Sequence, residues 1–217
     1  MECRRPLTRP PREARLKGHR LTTPTVPARP RIGSLCSGYG GLDLAVSDVL
    51  GGEVVWHCEY DPADPQQRSA RILAHHWPTV PNHGDVTAVD WSAVAPVDVL
   101  TAGFPCTDVS LAGRLDGLAP GTRSGIWHHV ADAISVLRPS LVVIENVRGL
   151  LSARGVGREH PTVADGPSPG ELRALGVVLG DLATLGFDAE WILLRASDAG
   201  APHRRERIFI LAWPQAA

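Results

Sequence analysis

Cys106 stands in Gly103-Phe104-Pro105-Cys106-Thr107-Asp108-Val109-Ser110, directly after the apolar run Val97–Ala102. A cysteine just past a strand end, in a loop bounded by glycine and proline, is placed like a nucleophile. Cys36 and Cys58 lie within apolar strand runs and fit inert, buried thiols instead. Glu145 ends the run Leu141-Val142-Val143-Ile144 and is followed by Asn146-Val147. An acid directly after four β-formers, with no cationic neighbour in sequence before Arg148, is placed for partial desolvation. Late in the chain comes Pro202-His203-Arg204-Arg205-Glu206-Arg207. A solvated charge cluster is the common reading of such a run, but Arg205 and Arg207 share one face of a strand entry while Arg204 takes the other.

A further segment, Ser37-Gly38-Tyr39-Gly40-Gly41, joins an apolar strand to a helix. Glycines there let backbone approach a ligand at the carboxyl edge of a sheet. A dinucleotide fingerprint requires Gly or Ala three residues after Gly40, where Asp43 stands. A phosphate loop is excluded as well, because the only lysine is Lys17. Glu59 ends the next strand, about 20 residues on, where a carboxylate commonly accepts from ribose hydroxyls. Asp85 is placed to meet an adenine amino group, or equally to N-cap the stretch Val86 to Trp91. Loop, Glu59 and Asp85 in this order suit an adenosine ligand without pyrophosphate, a description that S-adenosylmethionine meets. Other chemistries fail on spacing. A cysteine phosphatase needs Arg six residues after the cysteine, where Ala112 stands. No histidine has the context of a protease partner. His75, His76 and His83 lack the cysteine pair of a zinc site, so no metal is expected.

These groups are positioned by short apolar runs alternating with amphipathic stretches, the pattern of βα units around a parallel sheet. The spacing predicts strands over Ile32–Cys36, Glu53–Glu59, Val97–Ala102, Leu141–Glu145, Phe187–Arg195 and Arg207–Ala212. Helices are predicted over Leu42–Leu50, Ala63–His76, Ser124–Leu137 and Gly170–Leu185. Ala153–Pro169, rich in Gly, Pro and polar residues, reads as a loop. The expected architecture is α/β, a mostly parallel sheet with helices on both faces.

The 217 residues suit one such domain, here Ile32 to Ala217, preceded by an arm. Residues 1–31 carry nine basic side chains against Glu2 and Glu13 and six prolines, and read as a disordered basic arm. Electrostatic attachment to nucleic acid and an unselected leader explain that arm equally well. The whole chain has net charge −1, which excludes a polybasic protein. It has no apolar run long enough for a membrane span and no secretory h-region. Four cysteines without paired spacing indicate a reducing compartment, hence a cytoplasmic protein. Arginine in place of lysine, with abundant Ala, Gly and Pro, indicates a GC-rich bacterial or phage genome.

Gly-x-Gly-Gly, Gly-Phe-Pro-Cys, Glu-Asn-Val and Arg-x-Arg, in that order and spacing, resemble the C5-cytosine DNA methyltransferase family. The resemblance runs from Ile32 to about Trp213. It implies a Rossmann-like S-adenosylmethionine-dependent methyltransferase fold and a DNA substrate whose target cytosine is flipped out of the duplex. It implies Cys106 as nucleophile, Glu145 as the acid at the base, and Arg205 on the base's carbonyl oxygen. Ser37, Gly38, Gly40, Gly41, Glu59, Asp85 and Pro105 would bind the cofactor, and Ser110, Asn146 and Arg207 the substrate. Arg123-Ser124-Gly125-Ile126-Trp127 resembles the piece that closes the cofactor pocket.

Departures from the family pattern are local. Its Asp before the glycine loop is Ser34 here, its aromatic two positions on is Cys36, and its Gln residues after the cysteine and in the arginine motif are Thr107 and His203. The target-recognition region and final segment that follow the Arg-x-Arg strand in the family are not recognisable. A truncated product, a subunit completed by a second chain, a minimal enzyme and a degenerate, cofactor-binding relative are the competing explanations. An RNA cytosine methyltransferase of the same fold is the alternative in substrate.

Overall fold

Strand β1 (Arg31–Leu35) is an interior strand: Ile32 to Leu35 are all buried, and it has a partner strand on either side. It pairs in parallel with β2 (Glu53–Cys58) and with β3 (Val99–Ala102). β3 pairs in parallel with β4 (Leu141–Val147). Beyond β4 the direction reverses: β6 (Glu206–Pro214) is antiparallel to β4, and β5 (Phe187–Arg195) is antiparallel to β6. The order is β2-β1-β3-β4-β6-β5. This is a computed structural model, and it describes residues 24–105, 125–153 and 173–216. The Ala153–Pro169 loop therefore lies outside the described residues apart from Ala153.

Helices cover both faces, as expected. α1 (Gly41–Leu50) lies on one face, where Val46 packs with Ile32, Val54, Val99, Leu141 and Val143. α3 (Ile126–Leu137) and α4 (Ala174–Thr184) cover the other, burying Val130, Ile134, Val178 and Leu182 against Leu100, Val142, Ile144 and Ile210. Each such aliphatic side chain contributes roughly 1.5–3 kcal/mol on full burial. One polar link crosses the helix layer: Trp127 Nε1 donates to Asp181 Oδ2 at 2.7 Å, both groups being buried.

Several predicted boundaries move by a few residues, two of them for a visible reason. α2 begins at Arg68 rather than Ala63 and runs to His76. Asp64 folds its carboxylate back onto Gln66 N (3.1 Å) and Arg68 N (2.9 Å), so residues 61–67 turn rather than coil into helix. The folded part also starts earlier than Ile32. Val26 packs against the α1-side core, and Arg31 opens β1 with its N–H on Asp98 Oδ2 at 2.8 Å. No described helix is long and apolar enough to cross a membrane.

Gly33 shows how tightly the sheet centre is filled. It pairs with Trp56, whose indole covers it so closely that a Cβ there would lie 2.2 Å from Cζ2. Neither partner has room to move, since Trp56 is fully buried and its Nε1 donates to Ala95 O at 2.9 Å. Gly33→Ala is therefore expected to lower unfolding free energy by roughly 3 kcal/mol. Urea denaturation checks this, and Trp56→Leu in the same chain should absorb part of the loss, giving a less than additive double variant.

Candidate functional site

The four parallel strands end at one edge of the sheet, and the chemistry-bearing segments follow those ends. After β1 the backbone turns sharply, with Cys36 at φ +50°, Gly38 at +55° and Gly40 at +79°. Gly40 N donates to Ser37 O at 2.9 Å, closing the turn, and Gly40 O accepts Leu44 N to start α1. No larger residue fits at Gly40. Its φ is left-handed, and a Cβ would meet the Trp77 ring at 2.8 Å. Gly38 N donates to Glu59 Oε2 at 2.8 Å, tying the loop to the end of β2.

Glu59 is clamped from behind as well. Its N–H donates to Asn82 Oδ1 at 2.9 Å and its carbonyl accepts from Asn82 Nδ2 at 3.0 Å. Burial pushes the Glu59 carboxyl up, and the Gly38 N–H opposes that shift. Asp85 does what the capping alternative anticipated, though over a turn and not a helix: its Oδ1 accepts from Thr87 N (2.9 Å) and Thr87 Oγ1 (2.8 Å). The two acids are near enough to act on the same thiol. Cys58, which donates to Gly84 O at 3.2 Å, is pushed up to about 12 by burial and then by Asp85 and Glu59. Cys36 is pushed up too, chiefly by burial, which disfavours the thiolate at both positions; Cys36, however, sits in the turn and not in β1.

A cleft of about 470 Å³ opens beside the loop, a size suited to a small ligand. Its wall combines Ser37, Gly38 and Gly41 with Asp43, Thr101 and Gly103, and reaches Glu145, Arg205 and Phe209. The glycine loop, the predicted acid and a predicted arginine thus share one space. Glu59 and Asp85 flank that wall instead of forming it.

Glu145 has a cationic partner that its sequence neighbourhood conceals. β4 and β6 pair with Glu145 opposite Phe209 and Val147 opposite Arg207, so Arg207 is the diagonal neighbour of Glu145. Arg207 Nε lies 2.6 Å from Glu145 Oε1, with both side chains partly exposed. Asn146, expected at the substrate, is turned away from the cleft. It is 2% exposed; its Nδ2 donates to Phe104 O at 3.1 Å and its Oδ1 accepts Val147 N at 2.8 Å. It holds the start of the Phe-Pro-Cys loop against the end of β4. Trp127, expected at the cofactor pocket, is core instead: fully buried, with its ring 5.4 Å from that of Phe104. Pro105 is exposed at the last described position of its loop. Cys106, Ser110, Arg123 and Ser124 lie outside the described residues.

Sequence reasoning missed the role of Asp43. It excluded a dinucleotide fingerprint there, yet the residue is a 1% exposed carboxylate on the cleft wall that accepts from Ser34 Oγ (2.8 Å) and Thr101 Oγ1 (2.5 Å). The signal was present, since an acid in the first turn after a glycine N-cap is where a helix terminus favours negative charge.

Residues 31–216 match the family model for C-5 cytosine-specific DNA methylase. Among curated relatives, the chain is 33% identical over 139 residues to the type II methyltransferase M.NlaIV of Neisseria lactamica, covering 64% of this chain and 30% of that protein. It is 31% identical over 179 residues to M.DsaV of Dactylococcopsis salina, covering 82% and 44%. The chain thus spans less than half the length of these relatives. Two solved structures share the fold. One is a putative DNA modification methyltransferase encoded within an E. coli prophage, with TM-score 0.59, 21% identity, and 85% and 46% coverage. The other is S. pombe Dnmt2 methyltransferase, with TM-score 0.60, 19% identity, and 87% and 51% coverage. Because the family model matches residues 31–216, the whole of the described sheet included, the chain belongs to the C-5 cytosine-specific DNA methylase family.

Proposed function

We propose that this chain is the catalytic part of a DNA (cytosine-5-)-methyltransferase using S-adenosylmethionine, of the kind that acts in bacterial restriction–modification. The observation that carries the reading is the single cleft in which the glycine loop meets Glu145 and the arginine entry of β6. The cleft fits the cofactor chemically. Its wall has close-approach backbone at Gly38 and Gly41 and a buried acid at Asp43 suited to a cationic ligand, and beside the wall the Glu59 carboxylate is braced by Gly38 N. In this reading Ser37, Gly38, Gly40, Gly41 and Pro105 border the amino-acid end, Glu59 holds the ribose, and the free face of Asp85 meets the adenine. When bound, S-adenosylmethionine supplies a methyl group on a cationic sulfur.

The chain's own residues supply the rest. Cys106 adds as thiolate to C6 of the flipped cytosine; an S–C6 bond forms and the C5–C6 π pair moves to C5, making that carbon nucleophilic. Glu145, entering this step in its protonated form, donates a hydrogen bond or its proton at N3, stabilising the charge that develops there. Arg207, fixed on Glu145, orients that carboxyl, and Arg205, on the cleft wall, is the contact for the base's carbonyl oxygen. After C5 is methylated, a base removes the C5 proton, the π bond re-forms and the thiolate leaves. Ser110 completes the substrate contacts.

Cys106→Ala should abolish covalent trapping of the chain on DNA carrying 5-fluorocytosine, scored by a gel shift that survives denaturation. Trapping by that variant would remove Cys106 as the nucleophile. The Glu145–Arg207 pair gives a second outcome. Because it is partly exposed, its loss should cost the fold less than about 1 kcal/mol. Yet Arg207→Ala and Glu145→Gln should each slow methyl transfer by about 10²-fold or more. Labelled methyl transfer and thermal melting, measured on the same preparations, separate these effects.

A further inference from the structure

One buried group on the cleft wall takes no part in the chemistry above, the carboxylate of Asp43. It belongs to a chain of hydroxyls that crosses three elements. Ser34 on β1 stands 2.8 Å from Asp43 Oδ2, Thr101 on β3 stands 2.5 Å from Oδ1, and Ser37 in the glycine loop stands 2.7 Å from Ser34 Oγ. Ser34, Thr101 and Asp43 are essentially buried, whereas Ser37 is half-buried and lines the cleft.

Burial pushes the Asp43 carboxyl up, and the hydrogen bonds from Thr101 and Ser34 oppose that shift by favouring the ionised form; each hydroxyl has one proton, and an ionised carboxylate only accepts. Thr101 therefore turns its proton to Oδ1, and Ser34 turns its proton to Oδ2. The opposite sense would set a Ser34 lone pair against a buried carboxylate oxygen at 2.8 Å, an uncompensated repulsion. With its own proton committed, Ser34 Oγ accepts from Ser37. The Ser37 proton thus points inward, to Ser34 Oγ or to the Ser34 carbonyl at 3.3 Å. What Ser37 turns toward the cleft is a pair of lone pairs.

Building on the cofactor reading above, we infer that Asp43 is a positioning residue that fixes the polarity of this relay, so that Ser37 Oγ accepts a hydrogen bond from the α-ammonium group of the cofactor's amino-acid end. The nearest titratable neighbour is His57, whose Nδ1 lies 3.8 Å from Asp43 Oδ2; burial favours its neutral form, so it supplies no fixed counter-charge. The bound ammonium is the cation that the acidic floor lacks.

Ser34 and Asp43 touch, so exchanging them keeps the relay. In Ser34→Asp/Asp43→Ser the acid moves to β1, beside Thr101 in register, and Ser37 still donates inward. Calorimetric titration of the full chain with S-adenosylhomocysteine and with 5′-methylthioadenosine, which has the adenosine but no amino-acid group, reads the relay directly. Asp43→Ser should weaken S-adenosylhomocysteine by about tenfold or more and leave 5′-methylthioadenosine within about twofold. The exchange variant should regain most of that loss. Asp43→Asn, which keeps the volume, should show the same split between ligands, and it decides the matter where either serine variant fails to melt cooperatively. Equal weakening of both ligands, or of neither, overturns the assignment. A wild-type chain that binds neither ligand overturns the cofactor reading itself, and this assignment with it.

Discussion

The antiparallel pairing of β4 with β6 is the constraint on which the site depends. Parallel strands all end at one edge, so β1, β3 and β4 deliver their following loops to the same side of the sheet. An antiparallel neighbour begins where they end. β6 therefore brings Arg205 and Arg207, at its entry, to the edge where β4 releases Glu145. Were β6 parallel, its entry would lie at the far end of β4, about 23 Å away for a seven-residue strand. The register then does the fine placement. Glu145 opposite Phe209 and Val147 opposite Arg207 put acid and guanidinium on one face as diagonal neighbours.

Behind that edge, a few buried polar contacts fix segments that apolar packing alone would leave free to slide. Asn146 ties Phe104 to β4, Trp127 ties α3 to α4, and Asp43 ties α1 to β1 and β3. Each is directional, so each specifies an arrangement more than it adds net stability. His57 is the exception: fully enclosed, with neither ring nitrogen hydrogen-bonded among the described residues, its ring set edge-on to Trp77 at 5.1 Å. Burial without partners favours the uncharged imidazole, which leaves the Asp43 side of the core with an acid and no base.

Periodicity and turn residues were enough to find the six strands and four helices, because the interior strands are short, mostly apolar runs and each helix buries one face. The parallel-to-antiparallel switch was not legible, since strand direction is set by pairing and not by composition. The Arg207 partner of Glu145 was invisible for the same reason: the residues are 62 positions apart and meet only through register. Asn146 misled for a different reason. Its neighbours along the chain point to a site, but alternation turns it to the opposite face from Glu145, into the protein. Asp85 and α2 show the reach of local side-chain capping, where an acid takes backbone N–H groups before any ligand or helix can.

The glycine loop is held by contacts from within the protein on several sides. Cys36, a residue with a Cβ, holds φ +50°, a conformation that costs roughly 1–2 kcal/mol. It persists because Cys36 N is bonded to Cys58 O at 2.8 Å and because Gly103 leaves only 3.2 Å between a hypothetical Cβ and the Cys36 carbonyl. Gly40 is wedged on Trp77, and Gly38 is held by Glu59. A backbone fixed from three sides loses little freedom on binding, so affinity and selectivity at this loop pass to the side chains it presents. In the proposed reading, Ser37 is the loop side chain that discriminates at the amino-acid end. There the Ser37 proton is directed by a carboxylate that the ligand never needs to touch, which would set selectivity in the cleft from underneath it.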